Sequence, residues 1–141
     1  MNSFEIIEKV PTPKEYMDLR KAANMTPREL EGAKKGLGNE LFSVVLIDKR
    51  KRKTIGMGRV IGDGGTVFQI CDMAVISAYQ KQGGGKMIMD VFINTHLLEN
   101  AERLCDRAAI IHQGQIQSLI NLRDLRKQKL TLEELFHEIV K

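Results

Sequence analysis

An α/β domain with an antiparallel meander at its centre and helices flanking it is predicted by three observations. Apolar runs of strand length alternate with segments that carry helix-start signatures. The runs at 41–47, 55–61 and 67–75 are joined by connections too short for a crossover helix, which favours antiparallel neighbours. A run of three glycines then links the last strand to a helical pattern.

Each element has its own signal. FEIIEKV (4–10) reads as a strand. TPKE at 12–15 is a helix start: Thr12 caps, Pro13 fits the first helical position and Glu15 closes a capping box. Tyr16, Leu19 and Ala23 follow on one face. TPRE at 26–29 repeats the signature and predicts a second helix from Thr26, ended by the glycines of GLGN at 36–39. LFSVVLI (41–47) is an unbroken apolar run, hence a buried strand. The glycines of IGMGRVI (55–61) suggest a bulge or a close backbone approach. DGGT (63–66) is a turn before VFQICDMAV (67–75), and KMIMDVFINTHLLEN (86–100) carries apolar residues at 88, 91, 92 and 98, one helical face.

Composition bounds the function. The 141 residues, 43% hydrophobic and 28% charged, suit one soluble domain with a real core. No apolar stretch is long enough to span a bilayer, and MNSFEIIEKV lacks the pattern of a secretion signal. Two cysteines, Cys71 and Cys105, cannot build a disulfide framework, so a reducing cytoplasm is the expected location. A net charge of +4 suits an anionic ligand but is too mild to argue for nucleic acid. KRKRK, Lys49 to Lys53, lies between two strands and reads as a solvated hairpin tip. His96, His112 and His137 are scattered, with no metal spacing.

The glycines of AYQKQGGGKMIMD (78–90) sit where a strand passes into a helix. A helix's first turn has free N–H groups and the positive end of the macrodipole, and glycines let a phosphate approach them. A ligand-free glycine turn is the competing reading. A P-loop is excluded because Gly85-Lys86 is followed by Met87, which has no hydroxyl for magnesium. A dinucleotide fingerprint needs a parallel βαβ unit, which an antiparallel meander does not supply.

Gln80-Lys81-Gln82-Gly83-Gly84-Gly85 resembles the Q/R-x-x-G-x-G/A signature of the GNAT superfamily of N-acetyltransferases. Asp72-Met73-Ala74-Val75 is similar to the strand that leads into that loop, Tyr79 matches a frequent aromatic before the glutamine, and the element order agrees. GMGRVIGDGG (56–65) followed by DMAV resembles a subgroup of small bacterial acetyltransferases. The resemblance covers roughly residues 4–100. It implies a GNAT-like mixed, mostly antiparallel central sheet flanked by helices, and an acetyl-CoA-binding core over 1–100. It also implies acetyl-CoA as co-substrate, no metal, and transfer by direct attack of a primary amine of a small molecule or peptide. The pyrophosphate would lie on the amides of Lys81 to Lys86. The pantetheine arm would pair along Met73, Ala74 and Val75. Met73 or Val75 would offer an N–H to the oxyanion. Asp72 is the candidate base, with binding of the substrate amine or a hydrogen bond in the sheet as its alternatives. Arg59 and Gln69 would face the acceptor.

The last part departs from that pattern. Members of the family often carry a tyrosine in a late Y-E-x-x-G-F-like stretch that protonates the leaving thiolate; here no tyrosine follows Tyr79. Instead ERLCDRAAIIHQGQIQSL (102–119) and TLEELFHEIVK (131–141) resemble the C-terminal end of an ABC-transporter ATPase subunit. No Walker loop or signature motif accompanies them, so ATP hydrolysis is not implied. The chain therefore looks joined near residue 100, with 101–141 an atypical tail packed on the same domain. AAIIH (108–112) is expected as a fifth strand beside Met73–Val75, Gln113-Gly114 as a turn, and IQSLI (116–120) as the return strand. LRDLRKQK (122–129) reads as a short helix or linker. Thr131 and Glu134 form another capping box, before a helix with Leu132, Leu135, Phe136 and Ile139 on its apolar face. A sheet edge left open by this tail would favour a homodimer. Three functions remain open: an active N-acetyltransferase, a catalytically impaired CoA-binding protein, and a non-enzymatic interaction module.

Overall fold

A computed structural model describes residues 3–112 and 115–139. Four strands, β1 (Phe4–Glu8), β2 (Phe42–Asp48), β3 (Lys53–Gly62) and β4 (Phe68–Val75), form an antiparallel sheet in sequence order. Helices α1 (Pro13–Ala22) and α2 (Leu30–Gly36) connect β1 to β2, and α3 (Gly84–Asn94) and α4 (Leu97–Leu104) follow β4. Adjacent residues of β3 show the two covered faces. A side chain on Gly58 would meet Ile88 and Phe92 of α3, whereas Arg59 reaches the Gly36 carbonyl that ends α2. Val44, Leu46, Ile55, Met57, Ile88 and Phe92 are fully buried in this core. Each such side chain contributes about 1.5–3 kcal/mol by leaving water.

The first capping box forms as expected. Glu15 N–H donates to Thr12 Oγ1 at 3.2 Å, and Thr12 N–H donates to Glu15 Oε1 at 3.1 Å. The second TP-E start does not nucleate a helix: α2 begins at Leu30, with Glu29 at its cap. The Thr26 carbonyl instead accepts from Arg20 Nε at 2.8 Å, which ties this segment to α1. The pattern expected as one helix over 86–100 is two. His96 takes a left-handed φ of 64°, and Thr95 Oγ1 donates back to the Phe92 carbonyl at 2.7 Å, closing α3.

The tail differs most from expectation. β5 (Arg107–His112) pairs antiparallel with β6 (Gln115–Asn121) in a separate two-stranded sheet, rather than extending the main sheet beside Met73–Val75. A second small cluster of Leu122, Leu125 and Leu132 accounts for this, because Ala108 and Ile120 of the hairpin pack against it. Residues 122–127 form α5, capped by Asn121, and the Thr131–Glu134 capping box opens α6 (Leu132–Ile139). Leu132 and Leu135 lie in the cluster. The side chains of Phe136 and Ile139, and the turn expected at Gln113-Gly114, lie outside the described residues.

Three carboxylates in turns and caps have lowered pKa values. At Asp63 the cause is the Thr66 hydroxyl, then the N–H groups of the 63–67 turn; at Asp48 it is the Tyr79 hydroxyl. At Glu15 burial opposes the shift, but bonds from Thr12 and Thr54 prevail. The fold favours their charged forms, so their stabilisation is complete above the unfolded carboxylate pKa of about 4 and is lost as pH falls through the lower folded values. The melting temperature should therefore be level between about pH 5 and 7 and drop below about pH 4. Asp63→Asn should shrink that drop.

Candidate functional site

The site is built on the outer strand of the main sheet and the loop that leaves it. Ile76 N–H donates to the Ile55 carbonyl on β3 at 2.9 Å. Alternation along an extended strand then turns the N–H and C=O of Val75 away from β3, and likewise those of Met73. Among the described residues β4 is the end strand, so these groups face the open edge.

The register between β3 and β4 breaks inside this stretch. Arg59 pairs with Cys71 and Met57 pairs with Ala74, so Gly58 stands opposite both Asp72 and Met73. Asp72 adopts a left-handed φ of 53°, the signature of a bulge. A Cβ on Gly58 would lie 2.8 Å from Met73 Sδ and 2.7 Å from Ile88 Cγ2, so Met73 occupies the α3 face at that point.

Asp72 faces the other way, into a buried charge cluster. Arg20 Nη1 of α1 donates to its Oδ1 at 2.5 Å, and Arg59 Nη1 donates to its Oδ2 at 2.8 Å. The second Arg59 nitrogen, Nη2, reaches Glu40 Oε2 at 3.3 Å and the Gly36 carbonyl at 3.4 Å. Both guanidinium groups lie over the Tyr16 ring, 5.9 and 5.8 Å from its centroid. Burial pulls the Arg59 pKa down, but Asp72 and Glu40 outweigh it and hold the group above its ordinary value. Burial, reinforced by the Asp72 charge, pushes the Cys71 thiol up to about 11, so it stays protonated and is no nucleophile at neutral pH.

The loop leaves β4 through a turn of 3-10 helix at Ser77–Tyr79. Tyr79 anchors it: the hydroxyl donates to Asp48 Oδ2 at 2.8 Å and the ring packs on Phe4. Gln80 Nε2 donates to the outward Val75 carbonyl at 2.8 Å. The three glycines have three different surroundings. Gly83, the N-cap of α3, has a φ of 88° that L residues rarely adopt. Gly84 is buried, and a Cβ there would lie 2.7 Å from Leu46 Cδ2. Gly85 is exposed with helical backbone and nothing within 4 Å of an added Cβ. The first intrahelical bond at this end runs from Met87 N–H to the Gly83 carbonyl at 3.0 Å, which leaves the amides of Gly84, Gly85 and Lys86 at the positive helix end. Lys86 pairs with Asp90 at 2.7 Å, while Lys81 and Gln82 are exposed.

The structure thus brings Met73, Ala74, Val75 and the stretch Gln80–Lys86 to one end of the sheet, and it joins Arg59 to Asp72. It sets Gln69 apart as an exposed residue near the start of β4. Sequence reading missed Arg20, Glu40 and Tyr16 as members of the cluster. Arg20 had a visible signal, being four residues after Tyr16 on the apolar face of α1; Glu40 had none. A cleft of about 700 Å³ between α1 and the Lys51–Thr54 tip does not include the glycine loop. The candidate site is an edge and a loop.

No protein-family model matches the chain. A structure from methicillin-resistant Staphylococcus aureus, described as a protein of unknown function and probable acetyltransferase, is 39% identical; the match covers 89% of this chain and 85% of that one, with a TM-score of 0.63. A GNAT-family acetyltransferase from Streptococcus pneumoniae superposes with a TM-score of 0.56 at 22% identity, covering 64% of this chain and 66% of that one. The ribosomal-protein-S18-alanine N-acetyltransferase of Escherichia coli gives 0.53 at 19% identity, covering 68% and 60%. The last two show the fold. The chain belongs to one family with the Staphylococcus aureus probable acetyltransferase, and its fold is that of the GNAT acetyltransferases. A match over 89% of 141 residues cannot be confined to the first hundred, so the Staphylococcus aureus likeness runs into the tail. Among curated proteins, the ABC-type transporter ATP-binding protein EcsA of Bacillus subtilis is 35% identical over 65 residues, 43% of this chain. The match spans only a quarter of EcsA.

Proposed function

We propose that the protein is an acetyl-CoA-dependent N-acetyltransferase acting on a primary amine of a small molecule or peptide in the cytoplasm. The observation that carries this reading is Gly85. Its backbone is helical and its surroundings are empty, so the fold gives no reason for glycine in a helix's first turn, where alanine would be more stable. A ligand that needs the bare amide supplies the reason, and the exposed amides of a helix N-terminus select a phosphate.

In this reading Gln82 to Lys86 hold the pyrophosphate, with Lys81 adding charge, and Met73, Ala74 and Val75 form the edge along which the pantetheine lies. Gln80, now on the Val75 carbonyl, sets the loop's angle to that edge. Acetyl-CoA supplies an acetyl group activated as a thioester. The outward N–H of Met73 or Val75 stabilises the charge that develops on the acyl oxygen as a neutral amine attacks. Asp72 is a weak candidate for accepting the amine's proton, because both its oxygens already accept bonds from guanidinium groups. A water at the open edge takes that role. Residues 1–100 form the coenzyme-binding core and 101–141 a tail with its own small apolar cluster.

The test is release of free CoA thiol from acetyl-CoA with a panel of primary amines. Amine-dependent release is the expected result. Release that no amine accelerates, despite coenzyme binding, would favour the impaired CoA-binding reading.

A further inference from the structure

We propose that Arg20 and Arg59 are positioning residues, a two-armed clamp that holds the Asp72 carboxylate and thereby keeps the β4 bulge in its left-handed conformation. The functional half of this inference rests on the acetyltransferase reading; the conformational half does not.

An aspartate in a strand prefers an extended backbone, and φ near 53° is unfavourable for it. Something must hold it there, and the bulge is held from both faces. On the α3 face, Gly58 leaves room for Met73. On the other face the Asp72 carboxylate is gripped through both oxygens, by Arg20 from α1 and by Arg59 from β3. All three side chains are nearly inaccessible, at 4%, 11% and 8% for Arg20, Arg59 and Asp72, so solvent does little to loosen the grip. Each arm is itself fixed. Arg20 also holds the Thr26 carbonyl, Arg59 also holds Glu40, and both lie over Tyr16.

The consequence falls on the open edge. The bulge decides how the N–H groups of Met73 and Val75 are aimed, and these are the groups proposed to meet the acyl oxygen. The clamp does not touch the glycine loop. Loss of an arm should therefore impair the acyl-transfer step and leave the hold on the rest of the coenzyme nearly intact. Arg20 adds a second link: through Thr26 it ties the segment between α1 and α2 to the strand that carries the reacting edge.

The experiment compares wild type, Arg20→Met and the double variant Arg20→Met/Asp72→Gly. Glycine adopts positive φ without a clamp. Arg20→Met should lower kcat by about a hundredfold, the cost of a misplacement near 1 Å, while CoA affinity changes by less than about twofold. The double variant should recover most of that loss. Backbone chemical shifts at Asp72 and Met73, measured without coenzyme, should move toward extended values in Arg20→Met and return in the double variant. An unchanged kcat and unchanged shifts in Arg20→Met would overturn the clamp, as would a folded double variant with no recovery. If Arg20→Met does not fold, Arg20→Gln serves: a shorter, neutral side chain cannot grip the Asp72 carboxylate as the guanidinium does, so shifts identical to wild type would contradict the inference. Wild type that binds no CoA would sink the acetyltransferase reading, and the shifts would still decide the clamp.

Discussion

Gly85→Glu should raise the KM for acetyl-CoA by about a hundredfold or more, because a fixed carboxylate set against a pyrophosphate costs several kcal/mol. The melting temperature should not fall. An added side chain at Gly85 meets nothing within 4 Å, and an acidic residue in a helix's first turn is favourable to the helix. The neighbouring glycines cannot give so clean an answer. A side chain on Gly84 would run into Leu46, and overpacking of that kind costs about 1–3 kcal/mol. Gly83 sits at a φ of 88°, where any other residue is strained. Steady-state kinetics with varied acetyl-CoA, beside a thermal melt of each variant, separates a lost ligand contact from a damaged fold. A normal KM in Gly85→Glu would mean that the coenzyme does not approach this turn.

Asp72→Ala should destabilise the protein by about 3–5 kcal/mol, the cost of leaving buried charges without their partner. Two guanidinium groups lose their shared carboxylate, and alanine must also hold a left-handed backbone that it disfavours. Asp72→Asn should cost less, because asparagine tolerates that backbone and keeps an oxygen acceptor. Denaturant unfolding of both variants checks the order. The comparison bears on mechanism. A large loss of activity in Asp72→Ala is expected from the collapse of the bulge alone, and it would be no evidence that Asp72 is a base. Equal stability of Asp72→Ala and wild type would contradict the ion-pair geometry itself.

What was legible in the sequence was local. The Thr12–Glu15 capping box, the strand runs and the glycine turn each depend on residues within a few positions of one another, and all appear in the structure. What was not legible depended on distant partners. TPRE at 26–29 carries the same local code as TPKE, but the Arg20 side chain captures the Thr26 carbonyl, and the helix is capped at Glu29 and begins at Leu30. The hairpin of β5 and β6 reads from its apolar character, yet its separation from β4 depends on a cluster with Leu122 and Leu132. The same limit applies at the candidate site. The loop from Gln80 to Lys86 is contiguous and could be read directly. Arg20 and Asp72 are 52 positions apart, and only the packing of α1 on the sheet brings them together.

Calorimetric titration of the full chain with acetyl-CoA decides whether the glycine turn holds the coenzyme. Binding should be saturable, one-to-one and in the micromolar range, weakened about a hundredfold or more by Gly85→Glu and retained with CoA in place of acetyl-CoA. A well-folded wild type that takes up no heat with either compound would contradict it: the glycine turn would then have a structural purpose, and the fold of an acetyltransferase would have lost its coenzyme.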